Sequence, residues 1–158
     1  MEPSYSVRPA TSADQAFISE MQYEALFVPP GEPAFERSVL DEPAIARYHV
    51  GFGTMAGDVG VVAEAPDGRP IGAAWVRLVD GFGFVDHETP ELAIAVVDEA
   101  RGAGVGSALL RELLQRVSRV SASVDERNPV IRLYRRFGFE LERTEGDHTS
   151  VLVRDGRA

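Results

Sequence analysis

The sequence predicts a mixed α/β sheet, its segments running β-α-α-β-β-β-α-β-α-β-β. Three observations carry the prediction. Residues 105–117 place Val105, Leu109, Leu110, Leu113, Leu114 and Val117 on one helical face. A β-rich run at 91–97 enters that helix through a glycine-rich turn. Two further β-rich runs, 59–65 and 71–79, flank the hairpin-length turn Pro66-Asp67-Gly68-Arg69.

The remaining elements follow from local signals. Residues 4–9 read as a first strand. Ser12-Ala-Asp-Gln15 has the form of a capping box, and Ala16, Phe17, Met21 and Ala25 recur at helical spacing behind it, so a helix runs to about Phe27. Pro29-Pro30-Gly31 stops it. A second helical stretch spans 33–50, broken near Pro43 and ended by Gly51. Residues 120–124 form a strand. Asn128-Pro129 sets an N-cap beside a proline at the first helical position, and Gly138 ends that helix. Segments 139–143 and 149–154 close the chain as a hairpin. The triplets Gly51-Phe52-Gly53 and Gly81-Phe82-Gly83 read as coincidence rather than as a repeat.

Composition limits the function classes. A length of 158 residues suits one domain, 1–158, and 44% hydrophobic content supplies a core. No apolar run is long enough to span a membrane, and the first ten residues lack the apolar stretch of a signal peptide. A cytoplasmic protein that meets no membrane is the expectation. Without Cys there is no disulfide, thiol nucleophile or thiolate metal site. His49, His87 and His148 are too far apart for a local metal motif and read as surface or pocket residues, so no metal is expected.

The net charge of −9 argues against nucleic acid as a partner. Every basic residue is Arg. Between 101 and 136 eight arginines face only Glu112, Asp125 and Glu126, a net +5, which leaves −14 on the remainder. One segment is suited to an anion and the rest to a cation.

The chemistry concentrates where strand 91–97 meets helix 105–117. Gly102, Gly104 and Gly106 remove side chains, so a ligand can approach the backbone. The first N–H groups of the helix have no helical partner, and its dipole adds partial positive charge. The turn is therefore an anion site suited to a pyrophosphate. A P-loop requires Lys and is excluded. A dinucleotide fold requires G-x-G-x-x-G near the start of a βαβ unit; here the spacing is G-x-G-x-G-Ser, late in the chain.

Arg101-Gly-Ala-Gly104-Val-Gly106 resembles the Arg-x-x-Gly-x-Gly turn of the GCN5-related N-acetyltransferases, the GNAT superfamily. Asn128-Pro-Val-Ile-Arg-Leu-Tyr134-Arg-Arg-Phe137-Gly138-Phe139 resembles the same family's second signature, an Asn-capped helix that carries a Tyr. The resemblance is strong over 91–140 and weak before residue 59.

The resemblance implies a GNAT fold: a mixed, mostly antiparallel sheet of six to seven strands, about four helices, and a β-bulge that splays the fourth strand from the fifth. It implies acetyl-CoA as co-substrate and direct transfer of acetyl to a primary amine, a small cationic amine or a peptide N-terminus. Ile94, Ala95 and Val96 would face the pantetheine arm. Gly102, Ala103, Gly104, Val105, Gly106 and Ser107 would hold the pyrophosphate. Arg101 would add charge, Arg135 or Arg136 would reach the 3′-phosphate, and Asn128 would contact the pantetheine or cap its helix. A strand N–H near Val96 would hold the oxyanion, and Tyr134 would protonate the leaving thiolate. Glu91, acting through water, or His87 would serve as base. Glu20, Glu24, Asp86, Glu88 and Glu91 are expected to make the acceptor mouth negative. Homodimers are common in the family. A non-catalytic acyl-CoA-binding or sensor protein is the alternative, and a nucleotide-binding oxidoreductase rests on the glycine turn alone.

Overall fold

The computed structural model describes residues 4–156. Its seven strands are β1 (Ser6–Pro9), β2 (Val59–Glu64), β3 (Pro70–Arg77), β4 (Glu91–Val96), β5 (Arg119–Asp125), β6 (Glu140–Glu145) and β7 (Thr149–Asp155). The helices are α1 (Gln15–Ala25), α2 (Pro43–Ala46), α3 (Val105–Leu114) and α4 (Val130–Arg136). The sheet order is β1-β2-β3-β4-β5-β7-β6. Every neighbouring pair is antiparallel except β4 and β5, so this is the mixed, mostly antiparallel sheet that the sequence predicts.

Alternation along β4 divides the core. Leu92 and Ile94 face a cluster that includes Leu109, Leu110 and Leu113 of α3. Ala93 and Ala95 face another, with Ile18 and Met21 of α1 and Trp75 of β3. A strand covered on both faces reads as a continuous apolar run, as 91–97 does.

Several local expectations shift. The capping box is built on Thr11 rather than Ser12: Thr11 Oγ1 accepts from the Ala13 N–H at 3.2 Å, and Asp14 accepts from the Thr11 N–H at 2.8 Å. Asp14 also binds the Arg8 guanidinium, which draws the register one residue back. The buried positions of α1 are Ile18, Met21 and Gln22, whereas Ala16 is exposed. The helix expected over 33–50 reduces to a 3-10 turn, Arg37–Asp41, and the single turn of α2. Pro43 at the start of α2 has no N–H to continue a helix from the preceding turn.

Long-range bonds hold that segment instead. Trp75 Nε1 donates to Tyr48 O at 2.8 Å. His49 is buried, not a surface residue: Ser19 Oγ lies 2.7 Å from Nδ1 and Leu40 O lies 3.0 Å from Nε2. The carbonyl requires a proton on Nε2, leaving Nδ1 to accept from Ser19. Burial lowers the His49 pKa, keeping the ring neutral.

Arg77, at the end of β3, ties down the rest. Its Nε and Nη2 donate to the two oxygens of Asp58 at 2.9 and 3.1 Å, and Nη1 donates to Arg47 O and Val50 O. Both side chains are at most 2% exposed. Burial pushes the Asp58 carboxyl up, but Arg77 and the Met55 and Gly53 N–H groups outweigh it and hold it below the usual range. Removing one partner of a buried ion pair strands the other charge. Asp58→Ala is expected to lower unfolding stability by about 3–5 kcal/mol, read from urea denaturation at constant m.

Candidate active site

β4 and β5 part company after one residue. Glu91 with Ser121 is the single register pair between them, although β4 pairs with β3 from Glu91 to Val96. The family resemblance implies a β-bulge as the cause of the splay. Here the β3–β4 register runs without a shift, and β4 and β5 pair only at Glu91 and Ser121. A cleft of about 1090 Å³ occupies the opening.

At one end lies the glycine turn. Gly102 and Gly104 both have φ of +82°, the left-handed region that other residues enter at a cost. Gly104 is the N-cap of α3 and provides no side-chain cap. The first intrahelical bond is Ala108 N–H to Gly104 O at 3.0 Å, so the N–H groups of Val105, Gly106 and Ser107 precede the helical ladder. Arg101 and Arg136 line this end. Arg136 Nη2 lies 3.4 Å from Ser107 Oγ, and Arg101 Nε donates to Val96 O at 2.9 Å.

α4 forms one wall. Asn128 Oδ1 accepts from the Val130 N–H at 3.0 Å, so the residue caps the helix while lining the cleft. The Gly138 and Phe139 N–H groups return to Arg135 O and Tyr134 O, the Schellman closure expected at a left-handed glycine. Between these ends Tyr134 is 5% exposed and lines the cleft, its hydroxyl without a hydrogen-bond partner among the described residues. Burial raises its pKa, so the phenol keeps its proton through the neutral range.

At the opposite end lies a polar hub that local sequence signals do not reveal. Glu91 is 2% exposed. Its Oε1 accepts from Tyr48 Oη at 2.7 Å and the Gly83 N–H at 2.8 Å, and its Oε2 accepts from the Gly81 N–H at 2.8 Å. The intervening Phe82 N–H donates to Tyr48 Oη at 2.7 Å. Three consecutive amides therefore close on one carboxylate and one phenol. Burial, then the bond to Glu91, raises the Tyr48 pKa and keeps it a donor.

The model of the acetyltransferase (GNAT) domain matches residues 56–141. The chain belongs to the GNAT family. No curated protein matches it significantly. Among solved structures it is similar to a GCN5-related N-acetyltransferase from Kribbella flavida, at 24% identity and TM-score 0.69, covering 96% of this chain and 98% of that one. It is also similar to a phosphinothricin acetyltransferase from Sinorhizobium meliloti in complex with acetyl-CoA, at 24% identity and TM-score 0.66, with 96% and 88% covered. A putative acetyltransferase from Salmonella typhimurium with acetyl-CoA shares 20% identity at TM-score 0.67, with 98% and 95% covered. At these identities the likeness is one of fold.

In this GNAT chain the cleft is lined by Glu91, Ile94, Ala95, Val96, Arg101, Gly102, Gly104, Val105, Gly106, Ser107, Asn128, Tyr134 and Arg136. Ala103 and Arg135 are not among the lining residues. Nor is His87: its loop is pinned by Asp86, which accepts from the Glu88 N–H and Thr89 Oγ1, and its ring turns onto Phe84 at 5.1 Å. It borders a separate cavity of about 350 Å³. Of the five carboxylates expected at the acceptor mouth, only Glu24 and Glu91 line the cleft. Glu20 pairs with Arg37, Glu24 with Arg101, and Asp86 with Arg119. Among the described residues no group of three or more His, Asp or Glu could hold a metal, and no helix is long and apolar enough to cross a membrane.

The hub explains the second Gly-Phe-Gly triplet. A Cβ on Gly81 would stand 2.0 Å from Tyr48 Oη and 2.8 Å from Glu91 Oε1; one on Gly83 would stand 3.0 Å from Ser123 N. The triplet at 51–53 instead serves left-handed backbone, with φ of +70° and +93° at its glycines. The sequence hides the hub because Tyr48 and Glu91 lie 43 residues apart. Gly81→Ala is expected to break the Tyr48–Glu91 bond and cost about 1–3 kcal/mol, with faster amide exchange at 81–83 as the local readout.

Proposed function

We propose that residues 1–158 act as one GNAT domain that transfers acetyl from acetyl-CoA directly to a primary amine, a small cationic amine or a peptide N-terminus. The observation that carries this reading is the opening of β4 from β5 over an uncapped helix N-terminus, with an unpartnered, protonated Tyr134 between them. The residues fit the co-substrate. The β5-facing edge of β4 beyond Glu91 can pair with a pantetheine arm as if with an added strand. The N–H groups at 105–107, the left-handed glycines and the helix dipole suit a pyrophosphate, and Arg136 stands within reach of the same anion.

The chemistry then divides among few groups. The amine nitrogen bonds to the thioester carbonyl carbon, a β4 N–H near Val96 stabilises the oxyanion, and the C–S bond breaks. Tyr134 Oη gives its proton to the departing thiolate; burial keeps that phenol protonated at neutral pH, so the proton is present when the thiolate forms. The amine proton leaves through cleft water, and water returns a proton to Tyr134, so the cycle closes with amide and free thiol as products. Three of the roughly four lone-pair sites of Glu91 are already filled, which favours a positioning role over that of base. It holds the 81–83 loop and Tyr48 at the acceptor end.

Two substitutions separate binding from chemistry. Gly104→Asp places a carboxylate at the anion site and a side chain on left-handed backbone. It should weaken acetyl-CoA binding by about 10-fold or more, about 1.4 kcal/mol per decade, measured by calorimetry on folded protein. Tyr134→Phe keeps the ring and removes the donor. Turnover should fall about 100-fold with acetyl-CoA affinity little changed. Acetyl-CoA binding without thiol release against any class of amine would instead identify a non-catalytic acyl-CoA sensor.

A further inference from the structure

The acceptor half of the cleft has a character the net charge of −9 does not suggest. Along it stand Leu26, Phe27 and Val28 after α1, Phe35 and Ile45 from the next segment, and Phe82. Phe35 and Phe82 are 44% and 52% exposed. Large apolar side chains open to water inside a concave site form a surface that a ligand can cover. Phe82 is also held firmly. Its N–H is bonded to Tyr48, both flanking N–H groups are bonded to Glu91, and its ring lies parallel to that of Tyr48, 7° apart with centroids at 6.2 Å. A half-exposed ring fixed in this way is a platform for another flat apolar group.

Charge narrows the occupant. The cations lining the cleft are Arg101 and Arg136, both at the glycine-turn end. Arg101 is further drawn toward Asp98 and Glu24. Among the described lining residues no cation stands at the acceptor end. A carboxylate carried in with the amine would leave water without a partner there. A second ammonium would fare little better, because Glu91 already has three donors and Glu24 faces Arg101. Neutral polar side chains remain, Tyr23, Tyr48, Ser123 and Gln22 among them. Gln22 is 6% exposed and lines the cleft, and its carboxamide oxygen has no hydrogen-bond partner among the described residues. That oxygen is closed to solvent, so Gln22 adds a polar wall rather than an open acceptor.

We infer that the acceptor is a primary monoamine on an uncharged, ring-bearing body, an arylalkylamine. Its ring lies against Phe82. The inference rests on the acetyltransferase reading above and narrows its acceptor. It sets this chain apart from enzymes whose acceptor carries its own acidic group.

Thiol release at saturating acetyl-CoA, with phenethylamine, phenylalanine, spermidine and phosphinothricin as probes, tests it. Phenylalanine is the matched control, the same ring and amine with a carboxylate added. Phenethylamine should surpass phenylalanine in kcat/KM by about 100-fold or more, and should surpass spermidine and phosphinothricin as well. Phe82→Ala should raise the KM for phenethylamine by about 10-fold or more with kcat less affected, and Phe82→Leu, which restores an apolar side chain on the same loop, should recover part of the loss. Faster turnover of any of the other three amines, or a KM indifferent to Phe82→Ala, overturns the acceptor assignment and leaves the acetyltransferase reading standing. An acetyl-CoA-induced thermal shift with no acetylation of phenethylamine does the same. Neither a thermal shift nor thiol release with any of the four amines overturns both.

Discussion

A β-sheet normally satisfies its interior strands on both sides, and this one does not. β4 is bonded fully to β3 and at one residue to β5. Unpaired backbone in a buried strand is costly, so the parting must be enforced by the structure around it. Two devices enforce it. α1 packs on one face of β4 and α3 on the other, each through its own apolar cluster, which fixes the strand against β3. Beyond the gap, β5 is committed along its whole length to β7, from Arg119–Asp155 to Asp125–Thr149. Each strand is thus anchored along its far edge, and the facing edges stand apart beyond Glu91.

The point where β4 and β5 still touch is also where the polar hub sits. Glu91 is both the last residue paired to β5 and the carboxylate on which Tyr48 and the 81–83 amides converge. A buried carboxylate is stabilised only when its oxygens are bonded. The loop after β3 is therefore obliged to close over the start of the opening, and Gly81 allows the approach because a Cβ there would collide with Tyr48 Oη, while one at Gly83 would be tight against Ser123 N. The same requirement fixes Phe82. Cleft geometry at the acceptor end thus follows from satisfying one buried charge, and the second tether, Arg77 to Asp58, secures the segment that brings Tyr48 into place.

The parts of the molecule that are legible in the sequence are those whose signals are local. The strand–turn–helix at 91–114 announces itself through its glycines and the 3.6-residue apolar period, and the structure places β4 and α3 at 91–96 and 105–114. The Asn128 cap and the Gly138 stop are equally local. Where the signal is tertiary, the sequence misleads in a consistent way. Residues 33–50 carry enough helical pattern to suggest a helix, yet their conformation is set by bonds to Leu40 O, Tyr48 O, Arg47 O and Val50 O from His49, Trp75 and Arg77. Carboxylates counted along the chain suggest a negative mouth; in space most are neutralised by arginines or turned away from the cleft. His87 turns its ring onto Phe84 and borders a separate cavity rather than the cleft.

The two ends of the cleft therefore solve different physical problems. In the proposed reading the turn end meets a multiply charged anion, without a single Lys. It relies on oriented N–H groups before Ala108, the dipole of α3, and arginines already restrained by Val96 O and Ser107. Pre-oriented donors lose little entropy when an anion arrives. The acceptor end has the opposite task, since a nucleophilic amine must be uncharged when it attacks. Apolar walls that expel water disfavour the ammonium form, and in the proposed reading an end of the cleft lined by no cation leaves shape and the Phe82 face to select the partner. Tyr134 stands where the two environments meet. Burial there keeps its phenol protonated through the neutral range, the state that the proposed transfer requires.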